Sequence, residues 1–93
     1  MIVSVMTVKL YAPWIHSLKE KRMTVRSLCQ KLRNKFNVSV IESKAQDLHQ
    51  TIFISIAYLA NNAALADSMG DRITRYIETN TDAEIVELII EQE

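Results

Sequence analysis

The stretch Ser17-Leu-Lys-Glu-Lys-Arg22 opens the main helix of the chain, and the rest of the fold is organised around that helix. Ser17 and Glu20 have the spacing of a capping box. In this motif the serine hydroxyl accepts a hydrogen bond from the Glu20 N–H, and the carboxylate accepts one from the Ser17 N–H. Asn37 is the expected end of the helix, because asparagine tolerates the left-handed backbone conformation that ends many helices.

The apolar residues of this helix fall within one stripe about 100° wide, which is the width of a core-facing helix surface. The stripe consists of Leu18, Val25, Leu28, Cys29, Leu32 and Phe36. Cys29 is the single cysteine, so an internal disulfide is excluded. We interpret its thiol as a small core group and not as a nucleophile, because nothing nearby in the sequence lowers its pKa.

Basic residues border one side of the apolar stripe. Lys19, Arg22, Arg26 and Arg33 lie within about 60° of each other on the helical wheel, and we call these four residues the basic ridge. Lys21 is placed on the opposite flank of the stripe. Two interpretations stay open: a solvated face whose aliphatic stems cover the edge of the core, or a surface that contacts phosphate groups. The candidate RNA-binding residues are Lys19, Lys21, Arg22, Arg26 and Arg33.

The predicted elements follow the order strand, helix, strand, strand, helix, strand. Strands are predicted at residues 2–11, 38–43, 51–60 and 83–90, and a second helix at 63–79. This order is the ferredoxin-like βαββαβ plan of the α+β class, with a four-stranded antiparallel sheet and two helices on one face. Because 93 residues have room for one core, we expect a single ferredoxin-like domain over residues 1–93.

Each predicted element has a face for the core and a face for the outside. In the third strand, one face carries Ile52, Ile54, Ile56 and Tyr58. The second helix is expected to bury Leu65, Met69, Ile73, Tyr76 and Ile77, and the last strand to set Val86, Leu88 and Ile90 against Ile85 and Glu87. The open face of the sheet is expected to show Thr7, Lys9, Tyr11, Phe53, Ser55 and Ala57.

The net charge of zero hides a division between the two halves of the chain. Residues 1–44 contain nine basic and two acidic residues, a net charge of +7, and residues 45–93 contain two basic and nine acidic residues, a net charge of −7. Such asymmetry indicates an interaction surface. It fits an anionic partner for the first half, and it equally fits packing between copies or simple compensation between two faces.

The expected location is the cytoplasm. No run of about 18 apolar residues is present, so we expect no association with a membrane. The first residues lack the charged region and the small-residue cleavage site of a signal peptide.

Several segments together resemble the YlxP-like family of small bacterial proteins, a domain of unknown function. The matching segments are Ser17–Arg22, Arg33-Asn-Lys-Phe-Asn-Val-Ser-Val40, Gln46-Asp-Leu48 with Gln50, and Asn61 after the third strand. The resemblance covers nearly the whole chain and implies a ferredoxin-like fold. Genes of this family lie beside translation genes in many bacteria, which implies a connection with RNA or the ribosome. The chain departs from the family pattern at Trp14-Ile15 and at His49.

Enzymatic chemistry is not expected. Acylphosphatases share the expected topology, but they use an arginine in the loop after the first strand, and residues 12–16 contain neither Arg nor Gly. His16 and His49 are far apart in the sequence and lack the spacing of metal ligands. We therefore expect no catalytic residue, no metal and no cofactor. Trp14 is either a lid on the core or an exposed anchor for a partner.

Two functional hypotheses follow. The first is a non-enzymatic, translation-associated protein that binds ribosomal RNA or a ribosomal surface through its first helix. Readout of RNA on the sheet is not expected, because the third strand lacks the Arg/Lys-Gly-aromatic signature of an RRM. The second is a homodimeric protein-interaction module without a nucleic-acid role, because a bare apolar sheet face is costly. Self-association is expected under both.

Overall fold

One antiparallel sheet of four strands carries both helices on a single face. In the computed structural model, which describes residues 1–93, the elements are β1 (Ile2–Tyr11), α1 (Leu18–Lys35), β2 (Ser39–Lys44), β3 (Thr51–Ala60), α2 (Ala63–Asn80) and β4 (Glu84–Gln92). The sheet order is β2-β3-β1-β4, with every neighbouring pair antiparallel. This confirms the predicted ferredoxin-like fold. Neither helix is long and apolar enough to cross a membrane.

The core lies between the sheet and the helices, and strand alternation produces it. On β1 the residues Met6, Val8 and Leu10 are buried, and on β3 their cross-strand partners Ile56, Ile54 and Ile52 are buried. Because successive side chains of a strand point to opposite faces, each central strand contributes every second residue to the core. The predicted inward faces of both strands are confirmed.

The first helix begins as predicted and ends differently. Ser17 Oγ accepts a hydrogen bond from the Glu20 N–H at 3.1 Å, which confirms the cap. The carboxylate of Glu20 accepts from the backbone N–H of His16 at 3.0 Å, and not from that of Ser17. The prediction of a left-handed Asn37 is wrong: α1 ends at Phe36 in an extended conformation, φ −127°, whose N–H donates to Leu32 O.

The second helix packs on the sheet through smaller side chains than its sequence predicts. Its buried residues are Ala66, Gly70, Ile73 and Ile77, whereas Leu65 is 52% exposed. The small residues let the helix approach the sheet closely, so the contact stripe runs through them and turns Leu65 outward. Met69 and Tyr76 are half-buried against the core.

The last strand contains an irregularity that changes its faces. The register between β1 and β4 shifts between Lys9 and Leu10, so that Ile85 pairs with Leu10 and Glu87 with Lys9. A β-bulge of this kind places one extra residue in one strand, and the side-chain alternation changes phase there. Ile85 and Leu88 therefore both pack against the core, and their predicted placement on opposite faces is wrong.

The connection after β1 closes the core without its tryptophan. Ala12 and Ile15 are fully buried, while Trp14 is 39% exposed. Trp14 lines a shallow cleft together with Met23 of α1 and Asp82 before β4. Trp14 is therefore not a lid on the core, because Ile15 is the large side chain of this connection that is buried there.

Gly70 permits the close approach of α2, and its replacement tests this contact. A Cβ atom at Gly70 would lie 3.0 Å from the Tyr58 hydroxyl oxygen and 3.4 Å from Ile90 Cδ1. Alanine in a helix is favoured over glycine by about 1 kcal/mol. We expect Gly70→Ala to raise the free energy of unfolding in a Tyr58→Phe background by about 0.5–1 kcal/mol more than in the wild type. Urea denaturation of the four proteins measures this difference.

Ser68→Ala serves as the control for this cycle, since Ser68 is an exposed residue of the same helix. Its effect should be equal in the two backgrounds. Equal effects of Gly70→Ala in both backgrounds would contradict the proposed contact.

Candidate nucleic-acid interface

A groove between α1 and β2 collects three residues of the basic ridge. It has a volume of about 440 Å³ and is lined by Arg22, Arg26 and Arg33 on one side and by Val40, Ile41 and Glu42 of β2 on the other, with Val25 and Cys29 below. We call it the arginine groove. α1 packs its apolar stripe on the sheet, and the ridge borders that stripe. The arginines are therefore aimed over the neighbouring edge strand.

The cationic groups of the basic ridge are free of acidic partners. Lys19, Arg22, Arg26 and Arg33 are all exposed residues. The one ion pair of the chain joins Lys21 and Glu42, so no carboxylate oxygen lies within 4 Å of any ridge cation. From Lys19 to Arg33 the helix rises about 21 Å, at 1.5 Å per residue. The ridge is thus an elongated, unneutralised positive surface that includes one wall of the groove.

Arg33 is held in place by the edge of the sheet. Its Nη2 donates a hydrogen bond to the Val40 carbonyl oxygen at 2.7 Å. An arginine keeps further N–H donors when one of its five is engaged. This bond therefore fixes the guanidinium at the groove wall and leaves donors for an anion.

Lys21, predicted as an RNA-binding residue, is instead part of the core boundary. Its side chain is only 1% exposed, and its Nζ lies 3.1 Å from Glu42 Oε2. The same Nζ donates to the Ala45 carbonyl oxygen at 2.5 Å. The assignment of Lys21 to an RNA surface is wrong, because a buried and paired ammonium group has no access to phosphate.

The sequence contained a signal for this burial. At about 100° per residue, Lys21 lies between Leu28 and Leu32 on the helical wheel, inside the apolar stripe. Its charge favours an exposed placement when the helix is considered alone. A lysine within an apolar stripe indicates a buried partner, since an unpaired charge in the core is very costly.

Cys29 lies below the arginines, and its thiol is expected to be unreactive. Burial raises the pKa of its thiol, an effect that the positive charge of Arg33 partly opposes and the negative charge of Glu42 reinforces. The thiolate is therefore disfavoured at neutral pH. The interpretation of Cys29 as a core residue is confirmed by its burial.

The open sheet face carries a second cationic feature that the sequence reading missed. Phe53 lies on that face, with Lys9 Nζ 5.6 Å and Lys44 Nζ 5.0 Å from its ring centroid. These distances are those of cation–π interactions. Lys9 is opposite Phe53 in the β1–β3 register, and Lys44 is opposite it in the β2–β3 register. The register, which is a tertiary feature, brings the three together, and none of them lines the arginine groove.

The two histidines line the same cleft although they are distant in sequence. His16 and His49 line one cleft of about 560 Å³, together with Asp47 and Gln50. No group of three His, Cys, Asp or Glu side chains in the structure is placed to hold a metal ion. The cleft joins the loop before α1 to the loop before β3, and neither histidine lies in the arginine groove.

Removing one partner of the Lys21–Glu42 pair is expected to destabilise the fold strongly. Removing one partner of a buried ion pair costs about 3–5 kcal/mol, because the other charge stays buried without compensation. We expect Lys21→Met to lower the free energy of unfolding by this amount and Lys21→Met/Glu42→Leu to recover most of it. Urea denaturation provides the measurement. Lys19→Met, at an exposed position, should change the value by less than about 0.5 kcal/mol; a loss as large as that of Lys21→Met would contradict the assignment.

The raised pKa of Cys29 predicts slow thiol chemistry. At pH 8 the folded protein should react with a disulfide-exchange reagent far more slowly than the protein unfolded in urea. Above about pH 8.5, the ordinary thiol pKa, the unfolded thiol loses its proton while the folded one keeps it. The free energy of unfolding should therefore fall as the pH rises through this range, and Cys29→Ala should remove this contribution. Equal reaction rates for folded and unfolded protein would contradict the prediction.

Comparison with known proteins identifies a family that this chain matches. The family described as "Protein of unknown function (DUF503)" matches residues 3–90 of the chain. The chain is also 32% identical over 63 residues to a protein of Bacillus subtilis (strain 168) named "Uncharacterized protein YlxP", and the match covers 68% of each chain. The resemblance seen in the sequence is confirmed, and the chain belongs to the DUF503 family, which includes YlxP-like proteins.

Proposed function

We propose that this protein is a non-enzymatic RNA-binding protein of the cytoplasm that contacts ribosomal RNA through Lys19, Arg22, Arg26 and Arg33. The observation that carries the proposal is the arginine groove, whose three guanidinium groups have no acidic partner. Arginine without an internal carboxylate is available for phosphate oxygens, which it binds in a bidentate manner.

The long-range charge distribution supports the same surface. The basic excess of residues 1–44 lies on the chain segment that forms β1, α1 and β2, whereas the acidic excess belongs to the segment that forms α2 and β4. An RNA molecule would therefore approach from the α1–β2 side, because the α2–β4 side repels phosphate. This gives the encounter an orientation before any specific contact forms.

The shape of the site favours RNA structure over individual bases. The ridge is a helix surface with arginine and lysine side chains, and no aromatic ring lines the arginine groove. Proteins that read single-stranded bases need flat side chains for stacking. The site therefore suits contacts to the phosphate backbone of folded RNA. The choice of ribosomal RNA rests on the family resemblance, since genes of YlxP-like proteins lie beside translation genes in many bacteria.

A second candidate, a homodimeric protein-interaction module without a nucleic-acid role, is favoured by a different observation. Large apolar side chains are exposed on the sheet, among them Val5, Ile41, Leu59 and Ile89. Exposed apolar patches often mark contacts with other proteins. Of these four side chains only Ile41 also lines the arginine groove, so a single protein can have both properties.

Filter binding to ribosomal RNA over a salt series tests the RNA proposal. We expect binding at low salt that weakens as salt rises, because phosphate contacts release counterions. Each contact contributes about 0.7–0.9 to the slope of log K against log salt. Arg22→Ala/Arg26→Ala should therefore weaken binding for all RNA sequences and reduce the slope by about 1.4–1.8.

Arg75→Ala is the matched control, since Arg75 is an exposed arginine on α2, outside the arginine groove. Its RNA affinity and salt slope should equal those of the wild type. The proposal fails if the protein shows no affinity for the RNA at low salt, or if the double variant and the control lose affinity equally.

A further inference from the structure

The edge strand β4 has the composition of a buried strand but no buried residue. Five of its nine residues are aliphatic, and each is exposed or half-buried. Val86, Ile89 and Ile90 are among the exposed large apolar side chains of the chain. In the sheet order β2-β3-β1-β4, the strand has a neighbour on one side only. A long apolar edge of this kind is a template for pairing with another strand.

Backbone N–H and C=O groups of β4 point outward from this free edge. Val3 and Glu93 exchange two backbone hydrogen bonds of 2.9 Å each. In an antiparallel ladder such pairs alternate with pairs that do not bond to each other. The residues paired with Val5, Thr7 and Lys9 therefore bond to β1, and the N–H and C=O groups of Leu88, Ile90 and Gln92 point away from the sheet.

The opposite edge of the sheet is protected, in contrast to β4. On β2 the Val40 carbonyl accepts from Arg33 Nη2 at 2.7 Å, and the Glu42 carbonyl accepts from Gln46 Nε2 at 3.3 Å. β2 is also short, with six residues. No side chain donates to a backbone carbonyl of β4, which has nine residues. The unprotected edge is therefore β4.

We propose that a second copy of this chain pairs with β4 in antiparallel orientation, about a twofold axis at Leu88, to form a continuous sheet of eight strands. The charge pattern of β4 favours this register over the two adjacent ones. With Leu88 opposite its own copy, each Glu87 faces Ile89 of the other copy, so no two carboxylates are opposite each other in the regular part of the strand that follows the bulge. A shift to Glu87 sets that residue against itself, and a shift to Ile89 sets Glu87 against Glu91. Like charges directly opposite destabilise a strand pair.

Two further features fit a second copy at this edge. A groove of about 730 Å³ runs between α2 and β4 and is lined by Thr74, Glu78, Ile85 and Leu88. With the axis at Leu88, apolar side chains of the partner strand lie beside this groove. Glu87 is opposite Lys9 of β1 in the register of its own sheet, and this cation offsets part of the negative charge that the two copies bring together.

The inference is independent of RNA binding, and the two surfaces are compatible. β2 and β4 are opposite edges of the sheet, so the dimer leaves both arginine grooves free. At about 4.8 Å between strands, the two β2 strands of an eight-stranded sheet lie about 34 Å apart. Two linked sites of this kind raise the avidity for an RNA that spans them.

Sedimentation equilibrium of the full chain tests the proposal, with one exposed isoleucine from each edge strand as a matched pair. Ile89 is 48% exposed on β4, and Ile41 is 62% exposed on β2. We expect the wild type and Ile41→Glu to be dimers at high micromolar concentration. Ile89→Glu should be a folded monomer by circular dichroism, because this change places a carboxylate opposite the partner's Glu87. A wild type that stays monomeric up to millimolar concentration overturns the proposal and leaves β4 to a different, basic partner. Dissociation by Ile41→Glu to the same degree also overturns it, because the open face would then be the interface.

Disulfide trapping tests the register. In a Cys29→Ala background, Leu88→Cys places two thiols on the twofold axis, with Cα atoms about 5.5 Å apart, which is within the range of a disulfide. Glu91→Cys is the control, since its two copies would lie about 20 Å apart along the strands. We expect mild oxidation to give a covalent dimer for Leu88→Cys only. A covalent dimer for Glu91→Cys, or none for Leu88→Cys, overturns the Leu88 axis. These readouts are mass and cross-linking, so they fail or succeed separately from the RNA titration.

Discussion

The packing of the α1 stripe on the central strands β1 and β3 is the contact on which the other features depend. β1 and β3 pair over ten residues each and place alternate aliphatic side chains beneath the helices. Val25, Leu28 and Leu32 of α1 complete this layer. Once the stripe is buried, the rotation of α1 about its axis is determined. The basic ridge, which borders the stripe, must then lie over β2.

A buried ion pair constrains how α1 crosses β2. Lys21 is inside the apolar layer and pairs with Glu42 on β2, at the level where α1 crosses the edge strand. Such a pair adds little to stability compared with an apolar replacement, but it penalises any packing that separates the charges. Arg33, further along the helix, adds a hydrogen bond to the Val40 carbonyl on the same strand. The two contacts join α1 to β2 at two points, and the arginine groove lies between them.

The two edges of the sheet differ in length and in the protection of their backbone carbonyls. The β2 edge is short and its carbonyls accept side-chain hydrogen bonds from Arg33 and Gln46. The β4 edge is long and aliphatic, and a bulge after Ile85 turns both Ile85 and Leu88 toward the core. Protection of the basic edge keeps it from pairing with other strands and keeps its arginines exposed. The proposed roles therefore fall on opposite sides of the molecule, with RNA at α1–β2 and a second copy at β4.

The sequence by itself determined the order of the elements, the bounds of β1 and β3, the serine cap at Ser17 and the position of the basic ridge beside the apolar stripe. These features follow from local periodicity and local hydrogen bonds, which a window of a few residues contains. Only the tertiary structure decided that Lys21 is buried, because its partner Glu42 belongs to another element. It also decided the faces of β4, since a bulge appears only when β1 and β4 align. The buried stripe of α2 runs through Gly70 and not through Leu65 for a similar reason. Gly70 faces the Tyr58 hydroxyl on β3, and the periodicity of the helix alone does not predict this contact.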